Sequence, residues 1–198
     1  MSIETVTPPA AEPVSLADAK AWLRIEHDDE DGVIADLVAA ARERVERLTG
    51  RALITRRVRE RRDDWAEGGR LTAHGGHFRL GLGPVSQVHH VKTYAADDTA
   101  ETFDADAYYV DTHASPARLA LRGGAMWPVP GRCADGVEIE YDAGYGAAAS
   151  DVPHGLTEAL RLLLAEFYEH RLPAERAEEV SLPLAVQGLL APFARVRL

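Results

Sequence analysis

Two periodicities divide the chain. Leu156, Leu160, Leu163, Leu164 and Phe167 recur at helical spacing, while Glu158, Arg161, Glu169 and Arg171 fall largely elsewhere on the wheel. This predicts a central helix over 154–171, with Ser150 or Asp151 as N-cap, Pro153 in the first turn, and His170, Arg171 and Pro173 marking its end. Ile34, Leu37, Val38, Ala41, Val45 and Leu48 predict a second helix over 30–49, closed by Gly50 as a C-cap glycine. A shorter one over 16–24 opens on Ser15-Leu-Ala-Asp18, a capping-box variant with Asp in place of Glu. Its Leu16, Ala19 and Leu23 share a face, and Trp22 can lie beside them.

From Ala52 the period changes to two. Leu53, Thr55, Arg57, Arg59 and Arg61 alternate with Ile54, Arg56, Val58 and Glu60, as in a strand with at least one wet face. Further strands are predicted at 78–82, 85–94, 108–111, 117–121 and 137–141, separated by Gly, Pro, Asp and Ser clusters. The spacing is too irregular for a repeat fold.

The expected class is therefore α+β: a small helical bundle (helices near 16–24, 30–49 and 154–171), an inserted antiparallel β-rich section, and an extended C-terminal tail. Residues 1–14, with Pro8, Pro9 and Pro13, read as an extended or mobile arm. The main domain spans 15–172, helical at 15–50 and 152–172 and β-rich at 52–142; the tail is 173–198. Within the tail, 173–180 is a charged linker. Leu182, Leu184, Val186, Leu189, Leu190 and Phe193 then make an apolar segment that either folds back on its own core or docks on a partner.

A chain of 198 residues, 46% hydrophobic, can bury a real core, and fits one domain with an appendage better than two independent domains. No apolar run approaches the ~20 residues a spanning helix needs. Glu4 and Glu12 stand where a signal peptide would be basic and apolar, so no targeting segment and no membrane partner are expected. The single Cys133 excludes an intrachain disulfide and fits a reducing compartment.

A net charge of −10 argues against a protein that grips nucleic acid over its whole surface. The charge is uneven: residues 1–50 carry 11 acids and 5 bases, whereas 51–70 carry 7 bases and 4 acids. Arg56, Arg57, Arg59, Arg61 and Arg62 thus form a local basic patch that could meet phosphates or, as the acidic remainder favours, a protein partner. Arginine-rich strands are also common as solvated edges.

Candidate chemistry is sparse. The acids Asp28, Asp29, Glu30 and Asp31 fail the calcium-loop test: with Gly32 in the sixth place, His27 would be first and Val38 twelfth. They read as helix-end acids. Gly81-Leu-Gly83 precedes a strand, not the helix a dinucleotide turn requires. His89 and His90, adjacent in a strand, should point to opposite faces and not chelate together, and neither they nor His74 and His77 form a ligand grouping; no metal and no cofactor are expected. Ser150, Asp151 and His154 lack a nucleophile-elbow context, and Glu166, Glu169 and His170 sit where a helix carries outward residues. A small hydrolase using Ser150, His154 or Glu166 is the least favoured reading, and a DNA-binding module on Arg56–Arg62 the next.

Several segments, in order, resemble the head–tail connector (adaptor) proteins of long-tailed bacteriophages and gene transfer agents. They are Ser15-Leu-Ala-Asp-Ala-Lys-Ala-Trp-Leu-Arg-Ile, Asp28-Asp-Glu-Asp-Gly-Val-Ile-Ala-Asp-Leu, and the helix end Val45-Glu-Arg-Leu-Thr-Gly-Arg-Ala-Leu. Pro84-Val-Ser-Gln-Val, Tyr109-Val-Asp, Trp127-Pro, Tyr141-Asp-Ala-Gly-Tyr-Gly, Val152-Pro and the stretch from Pro183 to Phe193 follow. The resemblance implies a structural, non-enzymatic subunit of a virion or phage-like particle, made in the bacterial cytoplasm. It implies a homo-oligomeric ring, usually of twelve, beneath a portal protein and above the next connector, stopper or tail-terminator component. DNA would pass through the lumen without sequence-specific binding, and an acidic lumen would keep it sliding; Asp28 to Asp31 are candidates to line it. The C-terminal segment, Leu182 through Leu198, would engage the portal, which makes the apolar tail an interface and not a core element.

Overall fold

The computed structural model describes residues 1–65, 76–170 and 182–194. The fold is α+β, and the chain divides into two compact units, one of residues 9–54 and 145–198, the other of residues 1–8 and 55–144.

The first unit is helical: α1 (Leu16–Leu23), α2 (Asp31–Thr49), α3 (His154–Glu169) and α4 (Leu184–Leu190). Ser15 caps α1 as its sequence predicts, accepting from the Asp18 N–H at 3.1 Å. Gly50 ends α2 at φ 64°, a left-handed cap whose N–H returns to the Glu46 carbonyl. The start of α3 differs from expectation. Ser150 and Asp151 belong to a preceding 3-10 turn, where Asp151 accepts from the Ala148 N–H at 2.9 Å, and Pro153 stands at the cap itself. Proline carries no side-chain acceptor, so the helix starts without a side-chain cap.

The predicted apolar faces meet. Ile34, Val38, Ala41 and Val45 of α2 lie in one cluster with Leu156, Ala159, Leu160, Leu163 and Leu164 of α3. Each fully buried leucine is worth about 1.5–3 kcal/mol. Trp22, expected near this face, is 40% exposed, with the Arg161 guanidinium 5.8 Å above its ring.

The tail, expected to be extended, coils into α4, and Val186 and Leu190 are buried in the same cluster. A helix satisfies the segment's backbone groups while setting residues four apart on one face. The linker at 173–180 and His74 lie outside the described residues.

The second unit is β-rich. A five-stranded antiparallel sheet runs in the order β1 (Ser2–Thr7), β2 (Arg56–Arg62), β8 (Val137–Ala143), β4 (Val85–Tyr94), β5 (Ala100–Thr102). A three-stranded sheet runs β3 (His77–Arg79), β7 (Arg118–Leu121), β6 (Tyr108–Asp111). The first strand occupies part of the proline-bearing arm and is an edge, almost wholly exposed. It is held by backbone pairing to β2, which leaves no periodic trace of burial in the sequence. In contrast, β8 is central and buries Val137, Ile139, Tyr141 and Ala143 on alternate positions.

Among the described residues, no helix is long and apolar enough to cross a membrane.

Candidate docking surfaces

The arginines of β2 do not make an open basic patch. In register, Arg57 faces Asp142, Arg59 faces Glu140 and Arg61 faces Glu138. Arg57 Nε lies 3.1 Å from Asp142 Oδ1, Arg59 Nη2 2.9 Å from Glu140 Oε2, and Arg61 Nε 3.3 Å from Glu138 Oε2. Glu4 of β1 closes the other side, at 3.0 Å from Arg59 and 3.3 Å from Arg61. Cross-strand pairs of opposite charge support a sheet by a few tenths to about 1 kcal/mol each. Arg62 turns to the opposite face, pairing with the buried Glu60 at 2.6 Å, donating to the Arg79 carbonyl and lying over the Phe78 ring. Arg56 is half-buried at the start of the strand. The basic stretch of sequence is a mixed-charge face in space.

The histidine pair contradicts strict alternation. The β4–β8 register slips between Val88 and His90, and the bulge turns both rings toward one face of β8. His89 Nε2 lies 2.8 Å from Asp142 Oδ2, though misaligned for a hydrogen bond, and His90 Nε2 is 3.3 Å from Glu138 Oε1.

Burial raises the Glu138 carboxyl pKa, but bonds from His90, Tyr94 and Arg61 and the charge of Arg59 outweigh it and hold the group below the usual carboxylate range. For Asp142, burial is likewise outweighed by Arg57 and His89. Both folded values lie below the unfolded ones. The stability they contribute is therefore complete above the ordinary carboxylate pKa of about 4 and is lost as pH falls through the folded values. Urea unfolding should show a flat free energy from pH 7 to 5 on this account and a decline below about pH 4. In Glu138→Gln the decline should be shallower; an unchanged slope would remove Glu138 from the explanation.

The acids at the start of α2 tie the helical unit together. Lys20 of α1 binds both Asp28 and Asp31, which raises the lysine pKa and lowers that of Asp28. Glu30 accepts from the Tyr168 hydroxyl of α3 at 2.6 Å. Asp29 is almost fully exposed. Tyr168 continues the Leu160–Leu164 spacing and packs against the cluster, so the helical pattern marks it as apolar, and only packing brings its hydroxyl to Glu30.

In the C-terminal segment, Val186 and Leu190 are buried, Leu182, Leu189 and Phe193 are partly buried against the same cluster, and Leu184 is 85% exposed. Arg51 holds the segment's end, donating from Nε to the Phe193 carbonyl at 3.2 Å, with its guanidinium 5.9 Å from that ring. The same arginine reaches the Tyr145 hydroxyl at 3.3 Å. Sequence reading missed Arg51, and Glu46 too: buried at the end of α2, it accepts from the Leu53 N–H at 2.9 Å and from Arg42 at 3.2 Å.

Ser150, His154 and Glu166 do not converge. His154 and Glu166 begin and nearly end one helix, about 18 Å apart along its axis, and Glu166 meets His170 one turn on.

Residues 13–69 match the sequence model of the phage gp6-like head-tail connector proteins. No curated protein matches the chain significantly. Among solved structures, a chain in the neck of an empty gene transfer agent particle, computed with C6 symmetry, is 26% identical with a TM-score of 0.80; this chain is covered fully and that one to 97%. A chain in the virion of a native gene transfer agent particle is 25% identical, again at 0.80 and with the same coverage. A third, in the neck of a native particle computed with C12 symmetry, is 27% identical at 0.76, with coverage of 100% and 97%. The chain is thus similar to the phage head–tail connector proteins over residues 13–69, and over its whole length to chains in the neck of a gene transfer agent particle.

Proposed function

We propose that this protein is a structural head–tail connector subunit of a phage-like particle. The observation that carries the reading is the whole-length similarity to chains in particle necks, at a TM-score of 0.80. In this reading the subunits form a ring, of twelve by analogy with the C12 neck, beneath a portal protein and above the next connector, stopper or tail-terminator component. The role is mechanical, without a catalytic step. DNA passes through the lumen without sequence-specific contacts, and a net charge of −10 favours sliding over adhesion. Asp28 and Asp29, whose side chains are exposed, are the acids offered for the channel wall. Arg57, Arg59, Arg61 and Arg62 are paired with carboxylates of their own sheet, and the β2 arginines are not assigned to DNA.

The portal contact falls to the outer side of the C-terminal segment: Leu184, with the accessible parts of Leu182, Leu189 and Phe193. Val186 and Leu190 act one step back, holding α4 in place. The test is sedimentation velocity of the chain mixed with the portal ring of its own particle. The intact protein should co-sediment, and Leu184→Asp, which removes an exposed apolar contact without touching the core, should weaken binding by about tenfold or more. Failure of the intact chain to associate at any salt concentration would overturn the connector reading.

A further inference from the structure

The Trp127-Pro motif lies in a loop, residues 122–136 of the β-rich unit, that has no part in the contacts so far assigned. The loop is fixed to its sheet at close intervals. Trp127 stacks on Trp65 with ring centroids 4.4 Å apart, and the Trp65 indole donates to the Pro128 carbonyl at 2.7 Å. The Gly131 N–H reaches the Tyr94 carbonyl at 2.8 Å, where a Cβ would come within 2.4 Å of the Ala96 nitrogen, so only glycine allows the approach. Arg132 binds Asp98 at 2.6 Å, and the Asp135 N–H donates to Asp63 at 3.0 Å.

On this braced loop, Met126 and Val129 are 79% and 90% exposed. Two large apolar side chains flank the half-buried Trp127, itself stacked on the buried Trp65, and are presented outward, and Pro128 and Pro130 restrict the backbone on either side of Val129. Much of the ordering cost of docking is therefore already met. The surroundings are acidic: Asp63, Asp64, Asp97, Asp98 and Asp135 are all exposed. The loop's two arginines are engaged, Arg132 on Asp98 and the Tyr94 ring, Arg122 on the Tyr108 carbonyl and the Tyr109 ring.

We infer that Met126 and Val129 form a docking knob for a second protein of the neck, one that offers an apolar pocket ringed by lysine or arginine. Charge complementarity selects that partner over another copy of this chain. The exposed aspartates around the knob call for cations opposite them, and in this chain's own β-rich unit Arg57, Arg59 and Arg61 are already matched by carboxylates. The inference rests on the connector reading for the partner's location but not for the knob's chemistry.

The chain's one cysteine, the exposed Cys133, lies four residues past Val129 and provides the probe. Particles assembled with the protein carrying a benzophenone on Cys133 are irradiated and the adducts mapped by mass spectrometry. The expected product joins the loop to a particle protein other than this one, at a site with basic residues around apolar ones. Its yield should fall about tenfold in Met126→Ser/Val129→Ser, while the Trp65–Trp127 fluorescence shows the loop unchanged. Adducts only to another copy of the chain, or full yield in the double variant, overturn the inference, as does the absence of any adduct in particles that contain the protein. Absence of the protein from particles is a different result: it overturns the connector reading itself.

Discussion

Glu60→Ala is expected to destabilise the protein by about 3–5 kcal/mol, the range for removing one partner from a buried ion pair. Glu60 is completely buried. Its carboxylate accepts from Arg62 Nε at 2.7 Å, from the Gly81 N–H at 2.7 Å and from the Tyr141 hydroxyl at 2.8 Å. The Tyr141 oxygen in turn accepts from the Leu82 N–H at 3.1 Å. One side chain thus fastens the turn after β3 to the middle of the five-stranded sheet. Its loss leaves a backbone N–H and a hydroxyl short of an acceptor, and strips Arg62 of its close carboxylate. Tyr141→Phe, which keeps the ring and removes one hydroxyl, should cost only about 1–3 kcal/mol. Urea unfolding followed by tryptophan emission measures both, since Trp65 and Trp127 lie in this unit. A cost below about 1 kcal/mol for Glu60→Ala would show that the network contributes no net stability.

Ending the chain after Arg171 is the second large effect. If the C-terminal segment served only as a surface for partners, its removal would leave the melting temperature unchanged. Val186 and Leu190 are instead buried against the helical cluster, each worth about 1.5–3 kcal/mol. The sum, roughly 3–6 kcal/mol, corresponds to a fall in Tm on the order of 10 °C for a chain of this size. Leu184→Asp, at an exposed position of the same helix, should stay within about 0.5 kcal/mol of the parent. Circular dichroism melts of the three proteins separate the roles: a truncated chain as stable as the intact one would mean α4 adds nothing to the core. The comparison also guards the portal experiment, because lost binding in a truncated chain could reflect a loosened bundle, whereas lost binding in Leu184→Asp could not.

The helical unit was legible because burial there is periodic. Leu156, Leu160, Leu163 and Leu164 are all in the core, as are Ile34, Val38, Ala41 and Val45, and the caps at Ser15 and Gly50 stand where the residue types place them. Local chemistry fixes such features, since a cap needs only its own turn and an apolar stripe only its own helix. β2 was legible from its alternation, and the positions of β4, β6, β7 and β8 from the Gly, Pro, Asp and Ser clusters that separate them.

The edge strands β1 and β5 left no such trace, because pairing through the backbone is nearly indifferent to side chains. The arginine stretch shows a different failure. Arg57, Arg59 and Arg61 read as a patch in isolation, yet Glu138, Glu140 and Asp142 repeat at the same period some eighty residues later. That matching alternation was the available signal, and it becomes a ladder only when register sets the two strands side by side. Register also decided the histidine pair, since one extra residue in β4 cancelled the alternation that separates neighbours.

By itself, then, the sequence determined α1, α2 and α3 and their buried faces, most of the strands, the fold class and the resemblance to connector proteins, since each depends on residues within a turn or two or on the order of segments along the chain. The tertiary structure alone decided that the basic stretch is neutralised, that Glu60 is a buried hub, that the apolar tail belongs partly to the core, and that Met126 and Val129 remain outside it. Each of these is a contact, or the lack of one, between residues far apart in the chain. Periodicity sets which side of an element is apolar, and only packing determines what that side meets.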